Sequence, residues 1–320
     1  MAIVNLYQPI DMTNIEDWEG FISVADAGHI RVTDGFKTQD YFGEFQYGYQ
    51  GLAGGTLSST TAYQNGLYFS VSGFAVSALQ MESYINNGYI NAAFKTVLGG
   101  SDIVYGSAGN DLLVGLGGDD ALYGNAGNDR FESGAGNDFI DGGTGIDTVT
   151  STSGKGSVQV SANGSGFIVT NGQGEMDTLN NVERLAFSDG TTLALDVKVG
   201  ENTGSAYRLY QAAFDRTPDA AGLKYWIAEM DAGHSIAQIA QSFVDSAEFK
   251  TLNPGLDQNA IINGYYLNVL HRVADASGYA YWNKEMANGM KPNELLVSFS
   301  ESQENINNTA PTLDGGLWLG

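Results

Sequence analysis

Between residues 97 and 150 the chain repeats every nine residues, and no other feature constrains its fold as strongly. Written in nines, the segment reads VLGGSDIVY, GSAGNDLLV, GLGGDDALY, GNAGNDRFE, SGAGNDFID and GGTGIDTVT. The fourth place is always Gly (Gly100, Gly109, Gly118, Gly127, Gly136, Gly145). The sixth is always Asp (Asp102, Asp111, Asp120, Asp129, Asp138, Asp147), and the eighth is always apolar (Val104, Leu113, Leu122, Phe131, Ile140, Val149). A flexible Gly-rich linker has no reason to hold Asp and an apolar residue in fixed phase. A stack of identical units does, because each unit buries its apolar face only against its neighbours.

Each nonapeptide divides into a turn, where Gly permits positive φ and close approach of backbones, and a short strand whose eighth residue points inward. Consecutive strands run on opposite sides, so two nonapeptides make one coil of a parallel β-roll. Repeats two apart then stack, placing Asp102, Asp120 and Asp138 in one column and Asp111, Asp129 and Asp147 in the other. Stacked carboxylates surrounded by turn carbonyls form an oxygen-only cage that suits a hard cation such as calcium. The expected carbonyl donors are Gly106, Ala108, Gly109, Gly115, Gly117, Gly118, Gly124, Ala126, Gly127, Ala135 and Gly136. Three coils leave two between-coil sites per column, about four complete sites in all. The segment carries nine acidic residues and one base, Arg130, a net charge of -8 that four divalent ions would neutralise. Six inward side chains are few for ordering so Gly-rich a segment, and unneutralised carboxylate columns repel one another. The roll is therefore expected to be unfolded without metal and to fold in millimolar external calcium.

The rest of the chain reads as further units, giving a multidomain protein that is mainly β and ends in an all-α domain. Residues 1–96 are expected to be a β-rich domain, with strands at 41–49 and 67–76 and one helix near 76–85. Residues 97–150 are the roll, and 151–200 a β cap that covers its end. Residues 201–306 change to helical periodicity and contain two copies at an offset of 56. Arg216, Asp219, Gly222, Tyr225, Trp226, Glu248 and their neighbours recur as Arg272, Asp275, Gly278, Tyr281, Trp282 and Glu304. Each copy is expected to hold about three short helices, with 307–320 as an exposed tail.

Composition sets limits on partners. The formal charge of -23 and pI of about 4.1 make nucleic acid and anionic membrane poor partners. No apolar run is long enough for a membrane span. With no Cys, disulfides, thiolate metal sites and Cys nucleophiles are excluded. Met1 to Ile10 has neither the charged nor the apolar region of a secretory signal peptide, so export is expected to use another route.

The pattern G-G-x-G-x-D-x-U-x resembles that of the repeats-in-toxin (RTX) proteins, whose nonapeptides bind calcium. Ser133 replaces Gly at one first place, and Val97-Leu98 depart at the first repeat. The resemblance implies a secreted protein, extracellular or at the surface of a Gram-negative bacterium, exported by type I secretion machinery that reads an uncleaved C-terminal signal. The tail would form part of that signal. Residues 177–196 are similar to the strand-rich cap that follows such repeats. The helical pair resembles a tandem domain of unknown function, phycobilisome-linker-like, found in RTX and surface-layer proteins.

Outside the roll the bland readings are favoured. Asp219 and Asp275 are expected to cap helices, with Pro218 in the first helical position. Trp226 and Trp282 are expected in the core rather than stacked on sugar. Three dispersed His, and no HExxH, GxSxG or GxxxxGK[ST], give no catalytic constellation. Asp34, Asp40 and Glu44 read as surface charge, and His29 is a weak candidate for an axial haem ligand. The expected function is non-catalytic: a calcium-folded roll in a surface layer, adhesive coat or biofilm matrix, acting as a rigid spacer between end domains. Those domains would bind cell-surface polysaccharide or other copies of the protein. The alternative is a secreted hydrolase with its chemistry in residues 1–96.

Overall fold

The N-terminal segment is an antiparallel meander that runs directly into the roll. The structure, a computed structural model, describes residues 1–13, 20–87, 89–164 and 166–320. It divides into two units, Met1–Gly190 and Thr191–Gly320. In the first, strands β1 (Ile3–Leu6), β2 (Phe21–Ala25), β3 (His29–Thr33), β4 (Lys37–Gly48), β5 (Gly51–Gln64) and β6 (Leu67–Ser77) pair in the order β1-β6-β5-β4-β3-β2. Strands β4 and β6 hold the two runs legible in the sequence, except that Tyr49 lies in the turn after β4. The long β5 is not legible there, because its Gly, Ser and Thr residues blur the alternation of apolar and polar positions.

Helix α1 (Ala78–Asn86) follows, with the Ser77 side chain accepting from the Gln80 amide at 3.4 Å. The single helix expected near 76–85 is joined by a second, α2 (Ile90–Val97). Phe45, Leu57, Ala78 and Met81 form the small core between these helices and the sheet. Helix α2 uses Val97, so the first nonapeptide begins as a helix end and Leu98 is buried at its close.

Each nonapeptide then supplies one strand: β7 (Ile103–Tyr105), β8 (Leu112–Val114), β9 (Ala121–Tyr123), β10 (Arg130–Glu132), β11 (Phe139–Asp141) and β12 (Thr148–Ser151). Odd strands pair in parallel on one side, as Val104↔Leu122↔Ile140, and even strands on the other, as Leu113↔Phe131↔Val149. Every eighth-place side chain is at most 3% exposed, so the inward column is a dry core. Beyond the repeats lie β13 (Gln159–Asn163), β14 (Gly166–Thr170), β15 (Met176–Asn180) and β16 (Arg184–Phe187). Strand β15 pairs in parallel with β11, and β16 with β12, so the stack gains one more coil after its period is lost.

At the other end, β1 pairs in parallel with β7 through Ile3↔Ile103 and Val4↔Val104. The Leu112 amide donates to the Ile10 carbonyl at 2.8 Å, and Met12 N–H donates to the Leu112 carbonyl at 3.0 Å. Residues 2–12 thus form a coil ahead of the first repeat. The N-terminal domain is not a separate body spaced away by the roll; it shares one continuous sheet with it.

The second unit starts at Thr191, inside the segment expected to cap the roll. Strand β17 (Thr192–Ala194) is followed by α3 (Asn202–Phe214), α4 (Ala220–Asp231), α5 (Ile236–Asp245), α6 (Ala247–Leu252), α7 (Gln258–Asn268), α8 (Ala276–Ala287), α9 (Pro292–Ser300) and α10 (Gln303–Leu313). Each copy therefore has four helices rather than three. The additional break arises because Ser246 and Ser302 accept from the amides three residues on (Phe249 and Asn305, at 3.1 and 3.2 Å) and start a new helix. The exposed tail is also corrected: Leu313 and Leu319 are buried, and β18 (Leu317–Trp318) pairs antiparallel with β17. Buried Arg208 of α3 reaches Glu301 at the end of α9 through Nε–Oε1 (3.0 Å) and a second bond of 2.8 Å, locking the first copy to the second.

The residues common to both copies hold the helices in place. Asp219 accepts from the Gly222 amide at 2.8 Å and Asp275 from the Gly278 amide at 2.9 Å, so both are N-caps. Pro218 lies one residue before the cap, not at the first helical position. Arg216 and Arg272 each lie 4.9 Å from a tyrosine ring centroid, over Tyr210 and Tyr266. They also pair with Glu248 (3.0 Å) and Glu304 (2.7 Å). Trp226 and Trp282 pack half-buried against Phe243 and Phe299, while Tyr225 and Tyr281 remain exposed.

Candidate metal centre

The sixth-place Asp of each repeat immediately precedes a roll strand, so the pairing of strands one coil apart sets the Asp side chains in line. All six are at most 4% exposed. Asp120 Oδ1 accepts from the Asp102 amide, and Asp138 Oδ1 from that of Asp120, both at 2.8 Å. In the second column Asp129 Oδ1 accepts from Asp111 N–H (2.8 Å) and Asp147 Oδ1 from Asp129 N–H (2.7 Å). The two columns inferred from the spacing are therefore present, and each carboxylate uses one oxygen to tie its coil to the one before.

The other oxygen is the informative one. Oδ2 of Asp102, Asp120, Asp129, Asp138 and Asp147 is buried with no hydrogen-bond partner. Asp111 Oδ2 instead accepts from the Ser107 amide and hydroxyl at 2.7 and 2.9 Å. A buried carboxylate oxygen without a partner costs several kcal/mol in order of magnitude unless a cation meets it. Burial pushes the pKa of Asp120 and Asp129 up to about 7, and that of Asp138 and Asp147 up to about 6. Neighbouring carboxylates add to the rise, against the opposing effect of the amide that each accepts.

Backbone oxygens converge on the same points. A Cβ added to Gly115 would meet the Ser133 carbonyl and Asp120 Oδ2, and one on Gly106 would meet the Gly124 carbonyl and Asp111 Oδ2. On Gly124 it would strike Asp129 Oδ2 and the Gly142 carbonyl. The first-place residue thus leaves the space into which an Asp oxygen and a carbonyl one coil on both point, and Gly leaves it open. Gly106, Gly115 and Gly124 lie beside the carboxylates, although the Gly106 carbonyl, expected as a donor, accepts from Asn125 Nδ2 at 2.7 Å. The Ser133 and Gly142 carbonyls lie there too, although their substitution or position conceals them in the sequence.

The third- and fourth-place residues are placed in turns stacked on turns. Gly127, at φ 119°, lies over Gly109, Gly118 over Gly100, and Gly136 over Gly118. Gly117 bridges Ala135, Ala126 bridges Thr144, and the Ala135 carbonyl accepts from Gly118 N–H at 2.8 Å. Ala108 is exposed in its turn. Among the described residues no three acidic or histidine side chains gather. The backbone carbonyls beside the Asp carboxylates are hard oxygen donors of the kind that calcium accepts. The residues present fit calcium: buried, unpartnered oxygens, all of one hard type, beside a cradle that a Cβ would fill.

The stack extends past the sites legible in the sequence. Asp177 Oδ1 accepts from the Asp138 amide at 3.1 Å, and Glu183 Oε2 from the Asp147 amide at 2.7 Å. These residues stand in the two columns at separations of 39 and 36 instead of 18, because the β13–β14 hairpin is inserted between. The short TLNNVERLAF run, with apolar residues at Leu179 and Leu185, is the signal that marks them. At the opposite end Asp111 Oδ1 accepts from Ile10 N–H at 2.6 Å and Asp102 from the Ala2 amide.

Away from the roll, Asp40 is not surface charge. It is 2% exposed, takes Arg31 through Nε and a second nitrogen at 2.6 and 2.7 Å, and takes His29 Nε2 at 2.7 Å. Arg31 and His29 hold its carboxyl below the usual carboxylate range. With Nε2 engaged and its ring stacked on Phe42, His29 is not presented as an axial ligand. Asp34 closes the β3–β4 turn by accepting from Phe36 and Lys37 amides, and Glu44 is exposed.

Comparison with known proteins agrees with this geometry. Residues 98–131 and 114–149 match the RTX calcium-binding nonapeptide repeat, and residues 200–253 and 240–309 match a domain of unknown function, DUF4214. No curated protein matches the chain. Among solved structures, the extracellular lipase LipA from Serratia marcescens is 26% identical over 27% of this chain and 14% of its own, with a TM-score of 0.27. The AlgE6R3 subunit of the Azotobacter vinelandii mannuronan C5-epimerase is 24% identical over 25% of this chain and 71% of its own, with a TM-score of 0.18. This chain thus spans only a small part of the lipase's length. The buried Asp columns and the matched repeats together make this an RTX calcium-binding repeat protein with a C-terminal DUF4214 domain.

Proposed function

We propose that the protein is a secreted, non-catalytic component of a bacterial surface layer, adhesive coat or biofilm matrix, folded by calcium once outside the cell. The observation that carries the calcium switch is the set of five buried Asp oxygens with no hydrogen-bond partner. In a cytosol poor in calcium they repel and favour the unfolded chain that type I secretion machinery would thread. In millimolar external calcium the ions tie coil to coil. Because β1 and β7 share a sheet, closure of the roll also fixes the first strand of the N-terminal meander.

The helical unit would bind cell-surface polysaccharide or another copy of the protein. The non-catalytic reading is supported by the residues that both copies share, which are engaged in capping, ion pairing and core packing. The hydrolase alternative would draw an acid/base pair from Asp34, Asp40 and Glu44, but Arg31 occupies Asp40 on both oxygens and Asp34 closes a turn. The test is fractionation of producing cells grown in calcium. The protein is expected on washed cells or in their matrix and is released by a chelator; washed cells and matrix without it would overturn the proposal.

A further inference from the structure

The column of Asp111, Asp129 and Asp147 ends in a residue that no nonapeptide supplies. Glu183 Oε2 takes the Asp147 amide at 2.7 Å, the same bond by which Asp129 and Asp147 take the amides one coil before. Asp147 is fully buried, and its Oδ2 has no hydrogen-bond partner. A Cβ added to Gly142 would fall 2.6 Å from that oxygen and would collide with the Asn181 carbonyl. Gly106 and Gly124, above it in the column, show the same pair of neighbours: the Asp oxygen of their own repeat and a carbonyl one coil on. Asn181 sits at φ 48°, a conformation Asn tolerates, and its side chain donates to Asp141 Oδ1 at 2.7 Å, which fixes the turn.

We infer that Asp147 Oδ2, the Asn181 carbonyl and the Glu183 carboxylate form a further calcium site, built outside the nonapeptides and closing the roll's C-terminal end. The inference rests on the calcium reading of the repeats. Its chemistry is that of the sites above it: hard oxygens only, one buried carboxylate oxygen, Asp147 Oδ2, without a proton donor, and a glycine that leaves the space clear. Glu, one methylene longer than Asp, fills the column position that the inserted hairpin displaced.

Native mass spectrometry of the full chain at saturating calcium counts the ions. Four are expected from the repeats and one more from this site, about five in all. Glu183→Gln keeps an acceptor for the Asp147 amide but removes the charge, and is expected to bind one ion fewer with an unchanged circular dichroism spectrum. A wild-type count of four or fewer, or equal counts in the two proteins, would overturn the site. No ions in either would instead overturn the calcium reading itself. The wild-type count decides alone if the variant does not fold.

Discussion

Phe131→Ala separates a roll whose packing drives metal capture from one that binds metal as a preformed cage. Phe131 is fully buried and registers between Leu113 and Val149 in the inward column; it supplies no candidate ligand atom, although its ring tip packs beside Gly124. Truncating a buried Phe costs about 3–5 kcal/mol through lost transfer energy and the cavity left behind. If folding and the binding of about four ions are one equilibrium, a tenfold rise in calcium stabilises the folded roll by about 1.4 kcal/mol per ion. The calcium concentration at the folding midpoint should then rise roughly three- to eightfold. Circular dichroism of the full chain during a calcium titration measures that midpoint. Val273→Ala, at a 76% exposed position in the helical unit, is the control and should leave it unmoved. A Phe131→Ala midpoint equal to wild type would refute the coupling, because it would mean that the cage forms without the core.

Three other outcomes follow from the same geometry. Asp120 and Asp129 are raised to about 7 and Asp138 and Asp147 to about 6 in the folded, metal-free roll. Their contribution to its stability is fully present below the unfolded value of about 3.8 and is lost as pH rises through 6 to 7. In chelator the roll should therefore gain β signal at mildly acid pH, whereas the calcium midpoint should rise as protons compete below pH 7; circular dichroism at both pH values checks this. Gly127→Ala places a side chain at φ 119° against the Gly109 backbone, so the variant should show no β gain at calcium concentrations that fold the wild type. Ser246→Ala removes the cap between α5 and α6 and should destabilise the helical unit by about 1 kcal/mol, seen as a lower melting temperature that calcium does not restore.

The parts of this fold that sequence exposes are those governed by strict periodicity. Gly, Asp and an apolar residue recur together every nine positions, so both Asp columns and the inward core can be read from the spacing alone. Helical copies at a fixed offset are legible for the same reason, as are the caps Asp219 and Asp275. What escapes is whatever depends on contacts distant in sequence. Ala2 to Met12 carries no repeat signature, yet its amides meet Asp102 and Asp111 about a hundred positions away. Asp177 and Glu183 escape because an inserted hairpin breaks the spacing. Asp40 reads as surface charge because only the sheet register brings Arg31 opposite it. Tyr210 and Tyr266, at the same offset of 56, are easily passed over although they carry the rings on which the repeated Arg residues lie. Strand β5 is hidden for a local reason, since bulges opposite Gly43 and Tyr47 shift the register that alternation relies on.

The central claim is that calcium, through the Asp columns, folds the roll and with it the first strand of the chain. Amide hydrogen exchange of the full-length protein in chelator, in calcium and in magnesium tests it most directly. Strong protection of residues 98–150 and 2–12 is predicted in calcium alone, with the helices between 202 and 313 protected in all three. Equal protection of residues 98–150 in chelator and in calcium would contradict it, because the buried carboxylates would then be held in place without a cation.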